Sequence, residues 1–182
     1  MTSVDIVVPV YNEERDLPRS ITTLHQYLWE NLGDRQWRIV IADNGSTDST
    51  LAIAQALAAK YPGVACIHLL EKGRGRALRK VWLESPAGIV SYMDVDLSTD
   101  LRAFPLLIEA IEQGADIAIG SRLTRASRVL RRPLRREITS RCYNLLIKLL
   151  FFSRFTDAQC GFKALSRRAA QAILPLTRDN TW

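Results

Sequence analysis

The sequence has little cysteine, little histidine and no long apolar run. Its three cysteines, Cys66, Cys142 and Cys160, lie far apart and outside any CxxC or CxxH context. That spacing argues against a disulfide framework or a zinc site and predicts reduced thiols. No stretch approaches the roughly 18 apolar residues that would span a bilayer. The amino terminus runs straight into Val4-Asp5-Ile6 without a charged-then-apolar leader, so a cytoplasmic location is expected. Two phosphate-binding signatures are missing as well. The first apolar run is not followed by a GxGxxG turn, which disfavours NAD and FAD, and no GxxxxGK[ST] occurs, which removes a P-loop.

What is present is ordinary in bulk and uneven in detail. A chain of 182 residues, 47% hydrophobic and 24% charged, suits one α/β domain with a single good core. The net charge is +6, and its source is local. Arg122, Arg125, Arg128, Arg131, Arg132, Arg135, Arg136 and Arg141 crowd into one segment whose only acid is Glu137. Such a segment predicts a phosphate-rich ligand or an anionic membrane surface.

Apolar β-branched runs alternate with helix-like stretches, the pattern of a mostly parallel sheet covered by helices. Strands are expected at 5–10, 38–42, 65–69, 89–93 and 116–120. Helices are expected at 17–31, 48–61, 76–84, 101–113 and 137–152. The last, with "LLIKLLFF", is too short to span a membrane; it reads first as a core helix and second as a helix lying on a membrane interface. The chain reaches Thr181-Trp182 with no closing element in sight, and a domain continuing beyond this carboxyl end is expected.

Four loops carry residues suited to chemistry. The first strand ends in "VPVYNEE", which brings Tyr11, Asn12 and Glu13 to the edge where open α/β sheets bind ligands. The second ends in Asp43-Asn44-Gly45-Ser46, ahead of a helix. "EKGRGRALRK" offers two glycines among Lys72, Arg74 and Arg76. At the fourth strand's end, "MDVDLS" places Asp94 and Asp96 one residue apart, pointing to the same side if extended, with Val95 facing away. Mg²⁺ and Mn²⁺ favour such hard oxygen ligands and share them with phosphates. A phosphatase nucleophile at Asp94, or plain strand-end polarity, also fits the motif alone. The arginine segment by itself would also fit an inactive domain binding RNA or anionic lipid.

In this order, "VPVYNEE", "ADNGSTDST", "KGRGRAL", "MDVDLS", "GSRL" and "DAQCGFKAL" resemble glycosyltransferase family 2 enzymes with a GT-A fold. Within that family they resemble the dolichyl-phosphate and polyprenyl-phosphate hexosyltransferases. The resemblance runs from about Val4 to Leu174 and implies a single GT-A domain, a Rossmann-like mostly parallel sheet flanked by helices. It implies that Pro9, Tyr11, Glu13, Asp43, Lys72, Arg76 and Asp94 bind a nucleotide-diphosphate sugar. Asp94 and Asp96 would hold Mg²⁺ or Mn²⁺. Ser98 stands where many relatives carry a further ligand, Gln, and its shorter side chain leaves room for a water. Arg122, Arg136 and Ser140 match positions for the acceptor phosphate. Asp157, Gln159 and Gly161 match a stretch that closes over sugar and acceptor, which puts Gln159 with Asp94, Asp96 and Arg122 in the catalytic set. His25 and His68 receive no catalytic role.

The resemblance thus implies inverting, metal-assisted transfer of glucose or mannose to a polyprenyl or dolichyl phosphate at the cytosolic membrane face, with no nucleic-acid partner. The ending "RDNTW" is similar to the glucosyl-type enzymes, so UDP-glucose is expected over GDP-mannose.

Overall fold

Val4–Val10 (β1) is buried along its whole length, as happens to a strand at the centre of a sheet covered on both faces. The computed structural model describes residues 2–121, 134–152, 157 and 160–178, and the backbone alone for 134–137. After β1 come Leu17–Asn31 (α1), Trp37–Asp43 (β2), Thr50–Lys60 (α2), Val64–His68 (β3), Arg74–Glu84 (α3) and Ile89–Met93 (β4). Phe104–Glu112 (α4), Ile117–Ile119 (β5), Leu134–Phe151 (α5), Phe162–Ser166 (β6) and Arg167–Ile173 (α6) complete the order. The strands form one sheet in the order β3-β2-β1-β4-β6-β5. Pairings among β1, β2, β3 and β4 are parallel. β6 runs antiparallel to both neighbours, β4 and β5.

Alternate residues of β1 feed two cores. Val4, Ile6, Val8 and Val10 join Leu17, Ile21, Leu24 and Leu28 of α1 and Phe104, Leu107, Ile108 and Ile111 of α4. Val7 joins Ala77, Val81 and Trp82 of α3 and Ala170 of α6 on the other face. The four-three-four spacing on α1 puts one apolar stripe on the sheet. Each such buried aliphatic side chain contributes about 1.5–3 kcal/mol relative to exposure. The expected mixed α/β architecture is therefore present, with two differences. β6 was not foreseen, because "FKALS" is short and lies inside a motif read for its chemistry. α3 begins at Arg74 rather than 76, since Gly73 ends the loop directly at the helix.

The preference for a core role at 137–152 fails. On α5, Ile138, Leu145, Leu146, Leu149, Leu150 and Phe151 are all more than half exposed. Among the described residues no helix is long and apolar enough to cross a membrane.

Candidate active site

Parallel strands end on one edge, and the loops leaving β1, β2 and β4 meet there. The first two are stitched together by side chains. Asn12, at φ 55, receives the Thr47 N–H on its Oδ1 at 2.8 Å and donates its own N–H to Ser46 Oγ at 3.0 Å. The Glu13 N–H donates to Thr50 Oγ1 at 2.7 Å, and the Ser49 N–H to Glu14 Oε2 at 3.0 Å. "YNEE" and "NGSTDST" are thus two halves of one hydrogen-bonded rim. Asn12 is spent on that rim, while Tyr11 and Glu13 turn to the space it frames.

That space is an open cleft of about 810 Å³ walled by Pro9, Tyr11, Glu13, Asn44, Lys72, Arg74, Asp94 and Asp96 among others. The volume suits a small-molecule ligand. Its lining carries charge of both signs. Lys72 places its Nζ 3.8 Å above the Tyr11 ring, a cation–π contact that holds the ammonium beside the first strand's end. Glu13, Asp94 and Asp96 gather carboxylates on the acidic part of the wall, with Arg74 Nη1 3.4 Å from Asp94. Burial, followed by the charges of Asp16, Asp96 and Asp48, raises the Glu13 carboxyl above its ordinary pKa. The acidic wall is therefore a place where a cation would relieve repulsion.

Asp94 and Asp96 do not sit on an extended strand as the spacing suggested. The Leu97 N–H donates to the Asp94 carbonyl at 3.1 Å, closing a turn in which Leu97 takes φ 46, a left-handed conformation uncommon for a leucine. Both aspartates still face the cleft, and Val95 between them is buried in the core. Asp94 Oδ1 accepts from the Tyr92 hydroxyl at 2.5 Å and lies 3.4 Å from Arg74 Nη1. Burial first, then the hydrogen bond to Asp94, pushes the Tyr92 hydroxyl far above the usual tyrosine range. It stays a donor. The Ser98 N–H donates to Asp96 Oδ1 at 3.0 Å. Ser98 itself lines a small recess shared with Asp94, Gly161 and Phe162 rather than the main cleft.

Other expected residues fall differently. Arg76 is absent from the cleft lining, and its buried Nη1 sits in an ion pair with Glu71 that lacks hydrogen-bond alignment. Arg74 takes the cleft position instead. Asp43 is fully buried, and its Oδ2 lies 2.7 Å from His68 Nδ1. Asp43 Oδ1 and the neighbouring Asn44 Oδ1 are buried without a hydrogen-bond partner among the described residues. Buried acceptors left in this way are uncommon and call for a donor. Ser140 is buried on α5, with Asn144 donating to its carbonyl at 2.9 Å. Arg122 and Gln159 lie outside the described residues, as does the Arg136 side chain.

Sequence reasoning named Arg74 among the basic residues of its loop without assigning it a site role, and missed Tyr92 and Lys163. Lys163 stands opposite Tyr92 in the β4–β6 register. Burial lowers its ammonium pKa, against the nearby Cys160, Asp157 and Asp94. Only "YMD" and "GFK" hinted at the last two, through a polar residue placed in an otherwise apolar strand.

Known proteins resemble this chain in sequence and fold. The chain is 36% identical over 181 residues to glycosyltransferase AglD of Haloferax volcanii, covering 98% of this chain and 29% of that protein. It is 31% identical to the dolichol-phosphate mannosyltransferase of Pyrococcus furiosus, covering 93% of this chain and 48% of the relative. The chain thus spans less than half of each. Among solved structures, glucosyl-3-phosphoglycerate synthase from Mycobacterium tuberculosis in complex with Mn²⁺, UDP and glucosyl-3-phosphoglycerate superposes with a TM-score of 0.65. That match has 20% identity and covers 92% of this chain and 57% of the other. The shared fold is the GT-A fold. No support emerges for a phosphatase or an inactive RNA- or lipid-binding domain. The glycosyl transferase family 2 profile matches residues 5–174, and the chain belongs to that family.

Proposed function

We propose that this domain transfers a hexose, glucose or mannose, from a nucleotide-diphosphate sugar to a polyprenyl or dolichyl phosphate, inverting the anomeric centre. The observation that carries the reading is the cleft at the ends of β1, β2 and β4, which two aspartates of one turn line together with Lys72 and Arg74. A divalent cation fits the donor set, because both carboxylates are hard oxygen ligands facing one cavity. Among the described residues no group of three or more His, Cys, Asp or Glu side chains is placed to hold an ion unaided. Asp94 and Asp96 would therefore share Mg²⁺ or Mn²⁺ with the donor's diphosphate, and Ser98 supports Asp96 through its backbone. Once bound, the ion offsets charge on the departing diphosphate.

The chain's own groups do the rest. Lys72 and Arg74 neutralise the diphosphate as its bond to the anomeric carbon breaks. Pro9, Tyr11 and Glu13 frame the nucleotide. The unpartnered acceptor oxygens of Asp43 and Asn44 suit the N–H edge of a nucleobase. Arg76 would act only after leaving Glu71. Arg122, Arg136, Ser140 and Gln159 are proposed for the acceptor phosphate and sugar, arginine because its planar fork matches phosphate oxygens. A phosphate monoester with a second pKa of about 6 is already mostly dianionic at neutral pH. Its oxygen attacks the anomeric carbon directly, and no general base is required. The exposed apolar side chains of α5 would face the membrane that holds the lipid, a peripheral attachment on the cytosolic side.

A calorimetric panel of UDP, GDP, UDP-glucose and GDP-mannose, with and without Mn²⁺, tests the reading. Binding of one nucleotide series, strengthened by Mn²⁺ and weakened by Asp96→Ala, is expected, with UDP-glucose preferred. Absence of any nucleotide binding, or binding indifferent to both metal and Asp96→Ala, rejects it.

A further inference from the structure

We infer that Gly161 and Tyr92 are positioning residues for Asp94, clamping its carboxylate from two sides in the orientation that receives the cation. The inference rests on the reading of Asp94 as a metal ligand.

The β4–β6 register pairs Met93 with Phe162, which brings the next residues, Asp94 and Gly161, together across the end of the ladder. A Cβ built on Gly161 would overlap Asp94 Oδ2, with the carboxylate Cγ only 2.7 Å away and Oδ1 at 3.2 Å. The three nearest atoms all belong to the Asp94 side chain. Backbone conformation does not explain the glycine, for Gly161 is not among the residues with positive φ, unlike Gly45, Gly63 and Gly114. Space is the reason. Gly161 leaves a slot one methyl wide, and the Asp94 carboxylate fills it.

The other side is held by a hydrogen bond. The Tyr92 hydroxyl donates to Asp94 Oδ1 at 2.5 Å, and Arg74 Nη1 donates to the Tyr92 oxygen at 3.1 Å. Tyr92 is 6% exposed, so its ring is fixed by packing and its hydroxyl cannot follow a displaced partner. A short carboxylate set between a fixed donor and a glycine backbone has little freedom of rotation. Ligands to metals are oriented by such outer partners, and loss of one typically costs about 10- to 100-fold in metal affinity.

The clash created by alanine is with the end of a side chain rather than with backbone. Gly161→Ala can therefore keep the fold while turning Asp94 out of place. Tyr92→Phe removes the opposite hold without adding volume. Mn²⁺ binding is followed by electron paramagnetic resonance and calorimetry, in the presence of whichever of UDP or GDP the wild type binds. Each variant is expected to weaken Mn²⁺ binding about 10- to 100-fold, with metal-free nucleotide affinity and melting temperature close to wild type. Wild-type Mn²⁺ affinity in both variants overturns the clamp. So does parallel loss of metal-free nucleotide binding and thermal stability, which would mark a purely structural role. If Gly161→Ala does not fold, Tyr92→Phe alone decides between these outcomes. A wild type that binds no Mn²⁺ with either nucleotide rejects the metal-site reading itself, a failure visible before any variant is compared.

Discussion

Lys72, Arg74 and Arg76 look interchangeable in "KGRGR", yet their surroundings separate them. Arg74 lines the cleft 3.4 Å from Asp94, while Arg76 is engaged with Glu71. Arg74→Ala should therefore weaken nucleotide-diphosphate binding about 10- to 150-fold, the size of one charge-assisted contact of about 1.5–3 kcal/mol, and Arg76→Ala should change it less than about threefold. Titration of the two variants with UDP and GDP checks the order. Glu13 offers a second test at this scale. Its pKa is raised in the folded protein by burial and by neighbouring aspartates, so its charged form costs stability above the folded pKa. The cost vanishes below the ordinary glutamate value of 4.5, where the group is protonated folded or unfolded. Glu13→Gln should raise the melting temperature of the metal-free protein at neutral pH, with the gain fading as pH falls through the carboxylate range. A gain that persists or grows in acid contradicts the assignment.

Among the elements, α5 departs furthest from expectation. Its apolar residues suggested a core helix, but Leu145, Leu146, Leu149, Leu150 and Phe151 are exposed between 56% and 74%. Periodicity could not reveal this, since leucines are spread around most of the helix and no single stripe selects a buried side. An exposed patch of this kind marks an interaction surface. Replacing Leu146 and Leu150 together by Asp should reduce sedimentation with vesicles of mixed anionic and neutral lipid at least tenfold, leaving nucleotide binding within twofold. Each buried methylene is worth about 0.8 kcal/mol at such a surface. β6 shows a different limit. Five residues with one charge give too weak an alternation to announce a strand, and only its antiparallel pairing with β4 and β5 explains why "GFK" stands beside "MDVD".

At the scale of the molecule, the cleft joins residues far apart in the chain, from Pro9 to Asp96. A ligand that bridges three strand ends binds the folded state alone and stabilises it by mass action. Nucleotide with Mn²⁺ at about one hundred times its dissociation constant should add about 2.7 kcal/mol. For a chain of this size that raises the melting temperature by roughly 5–10 °C. Thermal melts with and without the pair measure the effect, and Asp96→Ala should abolish the contribution of the metal.

Sequence alone determined the class of fold and the identity of most wall residues. Buried parallel strands carry apolar runs that are visible without coordinates, and the loops that follow them must open at one edge. Composition also located the basic segment and the aspartate pair. Tertiary structure decided which members of each motif act together. A turn at Leu97, rather than strand alternation, sets how Asp94 and Asp96 share the cleft. Helix rotation brings Arg74 to Asp94 and Arg76 to Glu71, although a single residue separates them in sequence. The antiparallel β6 brings Gly161 to the Asp94 carboxylate. These choices depend on crossing strands and on one methyl group's worth of space, and a linear order of residues encodes neither where two chain segments meet nor how closely they approach.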